Sequence, residues 1–286
     1  MLSVQTKSRI ADRLGLLLGD GLYWALSAAT ALLPRNGRHH VRRVASLHLP
    51  SFLVDVTLEG VSLSLERSAL LSADLQACIE PETIAWMAGS MRDGEVLWDI
   101  GANVGLYTLW CAKRFPNARV VAFEPNALTY PQLVRHVITN GLAERVIALP
   151  VALSGNGPEI LSFRLSAMMP GTPHNQLDID GAPPMLSGRE AARYPVIACG
   201  ADHLVRLFGL PEPQHLKLDV DGIEATILAG SSCVLTAVRS VLVEDEWNKQ
   251  NIDALERPLL AAGLVEDLSF RNRGSGYNRV YRRPEA

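Results

Sequence analysis

The stretch Val96-Leu-Trp-Asp-Ile-Gly-Ala-Asn-Val-Gly-Leu-Tyr-Thr-Leu-Trp110 constrains this chain more than any other. Apolar residues ending in Asp99 read as a buried strand, Gly101 and Gly105 as a turn, and the run that follows as a helix. Strand, glycine turn and helix open a nucleotide-binding βαβ unit, in which N–H groups at the helix start face the ligand. The spacing departs from the pyrophosphate fingerprint G-x-G-x-x-G. Asn103 stands where the middle glycine belongs and Leu106 where the third does. No G-K-S or G-K-T occurs in the chain, which excludes a P-loop. The loop suits a ligand with an adenosine end and no phosphates.

The rhythm that follows fixes the fold class as α/β. Strands are predicted at Val96–Ile100, Arg119–Glu124, Val146–Leu153, Leu216–Val220 and Val241–Glu244. Helices are predicted between the first three strands and after Gly222 and Asn251. Such alternation implies a parallel sheet covered on both faces. Residues 263–270 and 277–283 read as two antiparallel terminal strands, bringing the sheet to seven. The five arginines between Arg271 and Arg283 read as a solvated final hairpin.

Residues 1–93 form a cap and residues 94–286 the main domain. In the cap, Phe52–Glu66 alternates around Glu59-Gly60 as a hairpin, and residues 72–91 read as helical, with Pro81 marking a break or a second helix start. Between Ser154 and Tyr194 the periodicity fails. "SGNGPEILSFRLS" suggests a hairpin, and the Pro- and Gly-rich stretch after it reads as a lid, so an insertion is expected over about 155–195.

Composition narrows the partners. Of 286 residues, 48% are apolar, enough for a sizeable core, and a net charge of −3 argues against nucleic acid. Cys78, Cys111, Cys199 and Cys233 lack metal-ligand or C-x-x-C spacing and read as free thiols of a cytoplasmic protein. Leu14–Pro34 is apolar but contains Asp20 and three glycines and is flanked by basic residues. A helix packed on the domain, or lying on a membrane surface, fits this mixture better than a spanning helix or signal peptide.

S-adenosylmethionine has an adenosine end and no phosphate. Asp99 could accept from its ammonium, directly or through water, and Asn103 with the loop N–H groups could serve its carboxylate. Glu124 closes the second strand, 19 residues after Gly105, where the carboxylate for ribose hydroxyls belongs. Pro125 stops that strand and Asn126 caps the next helix. Ala152 and Leu153 could line the adenine ring, with Ser154 as donor.

Together "WDIGANVGLYT", "VVAFEPN", "VALSG" and "HLKLDVDGIEATILAGS" resemble the FkbM-type family of S-adenosylmethionine-dependent O-methyltransferases, over about Val96–Glu246, with "NRVYRR" similar to the family's last strand. The resemblance implies a Rossmann-like class I methyltransferase domain and a hydroxyl of a saccharide, glycolipid or secondary metabolite as acceptor. The family's D-V-E-G-x-E appears here as Asp219-Val-Asp-Gly-Ile-Glu224, with Asp221 in place of Glu.

Methyl transfer to a hydroxyl needs alignment and a group that removes a proton. Strand alternation places Lys217, Asp219 and Asp221 on one side, and Glu244 on the neighbouring strand end close to Asp219. Asp219 is the first candidate for base or substrate orienter, and Glu244 the second. Lys217 would offset their charge, and His174 with Asn175 could close over the acceptor from the lid. Asp219, Asp221 and Glu244 could instead hold Mg²⁺. A nicotinamide-dependent oxidoreductase, or a non-catalytic module keeping the fold, are the rival readings. Partners are a small-molecule, glycan or glycolipid acceptor. Peripheral membrane contact through Leu14–Pro34 and a homo-oligomer stay open.

Overall fold

The computed structural model describes residues 53–66, 79–180, 188, 190–244, 252–271 and 277–284; Leu14–Pro34 and residues 72–78, Cys78 among them, lie outside the described residues. Alternation around Glu59-Gly60 produces the hairpin β1 (Leu53–Leu58) and β2 (Val61–Glu66). Both central residues take positive φ, +45° and +78°, which matches the twist of the strands they join. Pro81 opens α1 (Pro81–Ser90), where a missing N–H costs nothing.

The main domain then alternates: β3 (Val96–Ile100), α2 (Leu106–Arg114), β4 (Arg119–Phe123), α3 (Tyr130–Thr139), β5 (Val146–Leu149). A second, smaller set follows, β6 (Ala152–Ser154), β7 (Glu159–Leu165), β8 (Gln176–Asp178) and β9 (Ala192–Gly200). The chain continues through α4 (Ala201–Phe208), β10 (His215–Leu218), α5 (Glu224–Ala229), α6 (Ser232–Ala237), β11 (Ser240–Glu244) and α7 (Ile252–Ala261). It closes with β12 (Val265–Glu266), α8 (Leu268–Arg271) and β13 (Asn278–Arg282).

Seven strands form one sheet in the order β12-β13-β11-β10-β3-β4-β5. β10, β11, β3, β4 and β5 run parallel, and β13 runs antiparallel to β11 and β12. This is the α/β, mostly parallel sheet that the strand–helix rhythm predicts. Its central strands are buried on both faces, so they read as unbroken apolar runs. Trp98, Ile100, Val121 and Phe123 face one apolar cluster, while Leu97, Val120 and Ala122 face the other. Chain order reverses between β3 and β10, and ligands bind at such a switch point, beyond the carboxyl ends of the strands.

Three expectations need correction. The predicted strand Val146–Leu153 breaks at Pro150, which lacks the N–H a ladder needs; β5 stays in the main sheet and β6 joins a second sheet. Residues 154–166 are not a hairpin. β9, nine residues long, pairs with β6 on one side and β7 on the other, giving a four-stranded sheet β6-β9-β7-β8 within the supposed lid. Residues 263–270 hold only two strand residues. Asp267 accepts from Ser269 Oγ and Phe270 N and turns the chain into α8.

The hairpin is fastened to the main domain by directional bonds. Asn140 accepts from Ser64 N (2.9 Å) and donates to Ser64 O (2.7 Å), which mimics a ladder pair. His136 Nε2 accepts from Glu66 N, and Trp110 Nε1 donates to Leu58 O. Nor are the terminal arginines a solvated patch: Arg279 is buried against Glu266, and Arg282 pairs with Asp267.

Candidate functional site

The glycine turn is built to pass another strand. Gly101 has φ +80°, and a Cβ there would lie 1.9 Å from the backbone oxygen of Asp219. Only glycine permits that approach and that φ together. Asn103 takes φ +50°, a region asparagine tolerates. Gly105, φ +91°, is the residue before α2. Gly101 N and Ala102 N both donate to Phe123 O, which ties the turn to the end of β4.

Glu124 follows directly. It is 7% exposed, and its two carboxylate oxygens accept from Asn103 N and Asn126 N, each at 2.8 Å. Burial pushes its pKa up to about 7, against the pull of those two N–H groups. Asn126 Oδ1 accepts from Leu128 N and so is spent on the turn.

A cleft of about 670 Å³, its mouth included, opens beside Glu124. One end is apolar, walled by Pro125, Val151, Ala152, Leu153, Phe163 and Leu177. The other is polar, with Gly101, Asn103, Glu124, His174 and Asp221. Asn103 Oδ1 is buried there without a hydrogen-bond partner. Ser154 is displaced from this wall: its hydroxyl donates to Glu159.

A loop over residues 166–175 roofs the polar end. Asn175 staples it, accepting from Ser166 N (3.0 Å) and donating to Thr172 O (2.7 Å). Gly171 N donates to Thr129 Oγ1 at 2.9 Å, and Asn103 Nδ2 approaches Gly171 O at 3.4 Å. His174 Nδ1 lies 3.5 Å from Asp221 Oδ1.

The remaining candidates are not among the residues that line the cleft: Asp99 and Lys217 are buried, and the Asp219 side chain is 32% exposed. Asp99 is fully buried; Thr108 Oγ1 donates to it at 2.6 Å and Lys217 Nζ stands 3.6 Å away. Asp99 Oδ1 has no hydrogen-bond partner, and Asp99 is not among the residues that line the cleft. Lys217 is buried, bonded to Asp219 at 2.7 Å, and lies over the Tyr107 ring. Burial alone would lower its pKa, but Asp219, Asp99 and Glu80 outweigh it and hold the ammonium charged. Asp219 and Glu244 lie close enough to shift each other's titration, as neighbouring strand ends predict. Burial and Asp219 raise Glu244 far above the carboxylate range, while Lys217 and Glu244 hold Asp219 below it.

The predicted common side for Asp219 and Asp221 fails for a local reason. β10 ends at Leu218, and Gly222 at φ +98° turns the chain, so Asp221 swings into the cleft while Asp219 does not line it. Among the described residues no three His, Cys, Asp or Glu side chains are placed to hold a metal ion, and Asp219, Asp221 and Glu244 are no exception. No described helix is long and apolar enough to cross a membrane. Cys111 and Cys199 are buried free thiols, and Cys233 is exposed and free. Sequence reasoning missed Phe163, Leu177 and Thr129 in the cleft, and Glu80, Tyr107 and Thr108 around Lys217 and Asp99; Tyr107 and Thr108 stand in the quoted glycine-turn motif, and the others carry none.

Comparison with known proteins agrees with this layout. The hexuronic acid methyltransferase AglP of Haloferax volcanii is 28% identical over 165 residues, 58% of this chain and 62% of that protein. The methyltransferase sdnD of Sordaria araneosa is 28% identical over 193 residues, 60% of this chain and 72% of that one. The 31-O-demethyl-FK506 methyltransferase FkbM of Streptomyces tacrolimicus is 34% identical over 56 residues, 20% of this chain and 22% of that one. The chain thus spans less than two thirds of the Haloferax protein's length. The methyltransferase FkbM domain model matches residues 99–268, from Asp99 to the start of α8, and the chain belongs to that family.

Proposed function

We propose that this protein is an S-adenosylmethionine-dependent O-methyltransferase whose acceptor is a hydroxyl of a saccharide or related small molecule. The observation that carries the reading is the polar end of the cleft. There a buried carboxylate, Glu124, and an orphaned carbonyl oxygen, Asn103 Oδ1, meet across a glycine turn. Ribose hydroxyls are donors and suit Glu124. An ammonium is a donor and suits Asn103 Oδ1. The apolar walls at Val151, Leu153 and Phe163 suit adenine. A pyrophosphate would meet the Asn103 side chain where glycine is needed, which disfavours a nicotinamide cofactor.

Bound S-adenosylmethionine supplies an electrophilic methyl on a positively charged sulfur. The protein's part is to hold the donor, exclude water and align the hydroxyl. Glu124 would hold the donor's ribose and Asn103 its amino-acid end, and the 166–175 loop would cover them. Lys217, Asp99 and Thr108 hold the base of the glycine turn rigid. The acceptor class follows the Haloferax relative, whose name gives hexuronic acid as its substrate.

The test incubates the protein with methyl-labelled S-adenosylmethionine and glucuronic acid, glucose or a glucuronide-bearing oligosaccharide, with mass spectrometry of products. A gain of one methyl on oxygen supports the proposal. Saturable NADH binding with no binding of the adenosyl cofactor overturns it.

A further inference from the structure

We propose that His174 is the general base of the methyl transfer, oriented by Asp221 as an Asp–His pair. The inference rests on the methyltransferase reading and moves the proton-removing role away from Asp219 and Glu244. Neither carboxyl is among the residues that line the cleft, and Asp219 is already bonded to Lys217 at 2.7 Å. His174 and Asp221 line the cleft itself, with Asn103 and Glu124.

The Asp221 carboxylate sets the tautomer expected of His174. His174 Nδ1 is buried without a hydrogen-bond partner and lies 3.5 Å from Asp221 Oδ1. A neutral imidazole placed so against a carboxylate carries its proton on Nδ1 and keeps its lone pair on Nε2. The side chain is 41% exposed although Nδ1 is not. The exposed surface therefore lies elsewhere on the side chain, whose other polar atom is Nε2. A carboxylate facing Nδ1, here one with its side chain 26% exposed, orients a histidine base and steadies the imidazolium it forms. The long Nδ1–Oδ1 separation fits a pair that tightens when substrate binds.

Both partners are held. Asp221 O accepts from Gln176 Nε2 at 3.0 Å, and Arg164 in turn donates to Gln176 Oε1. His174 sits at φ +61°, a left-handed conformation that a non-glycine residue keeps where the surroundings hold it. The neighbouring Asn175 staple and the Gly171–Thr129 bond impose it here. The step balances without a further reactant. The hydroxyl proton passes to Nε2, the oxygen bonds the methyl carbon, and the carbon–sulfur bond breaks with its electron pair remaining on sulfur. The imidazolium, paired with Asp221, later returns its proton to water.

Two measurements test the pair. Long-range ¹H–¹⁵N correlation spectra of histidine-labelled protein report the tautomer without acceptor or cofactor. The Nδ1–H form is expected for His174, with a change towards Nε2–H in Asp221→Asn. An Nε2–H form in the wild type, unmoved by Asp221→Asn, overturns the proposal even if methyl transfer is confirmed. With labelled S-adenosylmethionine and glucuronic acid, His174→Ala should lower kcat by about 100-fold or more, with partial rescue by free imidazole. Its affinity for S-adenosylhomocysteine should stay within about threefold of wild type, since the loss lies in proton transfer and not in holding the donor. Affinity falling in step with rate makes His174 a wall of the cofactor site and also overturns the proposal. If the wild type transfers no methyl to glucuronic acid, that acceptor assignment fails while the tautomer still decides the pair.

Discussion

At residue 103 the chain places an asparagine where a dinucleotide loop needs glycine, and the backbone there is left-handed at φ +50°. The side chain does two things: Nδ2 approaches the roof loop, and Oδ1 stays buried and unbonded. Asn103→Gly suits the backbone, so thermal unfolding should stay within about 1 kcal/mol of wild type. Affinity for S-adenosylmethionine should nonetheless drop about tenfold, the worth of one hydrogen bond to a charged group. Unchanged affinity by calorimetry would remove Asn103 from the site. Gly101 is the opposite case. Gly101→Ala forces a methyl against the Asp219 backbone oxygen, and several kcal/mol of stability should vanish in chemical denaturation.

Glu124 also gives a signed pH effect. Its native pKa is raised to about 7 from an ordinary 4.5. Between those values the native state holds more protons than the unfolded one, so this group's contribution to stability falls as pH rises from about 4.5 to 7. A shift of that size corresponds to roughly 3 kcal/mol at most. Glu124→Gln should abolish this part of the pH dependence in urea titrations. A variant that keeps the wild-type slope would show that Glu124 is not the group responsible.

At the scale of elements, the roof loop decides access. It is anchored at Gly171 by the Thr129 hydroxyl from the start of α3. Thr129→Val removes that acceptor and keeps the volume. S-adenosylhomocysteine should then leave several-fold faster in stopped-flow chase experiments, with little change in the melting temperature. An unaltered release rate would mean that the loop is not a gate.

The same elements show where sequence reading succeeds and where it stops. β3 and β4 are legible because burial on both faces leaves an apolar run with no alternation to misread. Gly101 and Glu124 are legible because a close backbone approach and a strand-end carboxylate each demand a residue type at a fixed place. β9 is not, since Pro195 interrupts its run and its partners β6 and β7 lie far off in sequence. The His174–Asp221 contact joins residues 47 apart on irregular backbone, which no periodicity encodes. Asp221 was assigned to the wrong side because alternation was extended past Leu218, where the strand ends.

At the scale of the whole molecule, polar bonds tie the front section to the main domain. His215 joins Ser240 and Glu95, and Trp86 of α1 donates to the same serine. His136 accepts from the hairpin. Burial holds both histidines below their ordinary pKa. The unfolded chain therefore takes up protons that the native one refuses, and stability is lost as pH falls through about 6.5. In the double variant Glu124→Gln/Glu244→Gln, which removes both carboxyls that burial raises, the melting temperature should decline from pH 7 to pH 5. A flat profile would contradict the burial of these two imidazoles.

The central claim is that the cleft between Gly101 and Glu124 holds an adenosyl cofactor by its ribose. Calorimetric titration of S-adenosylhomocysteine into wild type and Glu124→Gln at pH 8 tests it most directly. The account predicts one site per chain at micromolar affinity, weakened about 10- to 100-fold by the substitution, because a charged acceptor of ribose hydroxyls is lost. Equal affinity in the two proteins, or no binding to either, would contradict it.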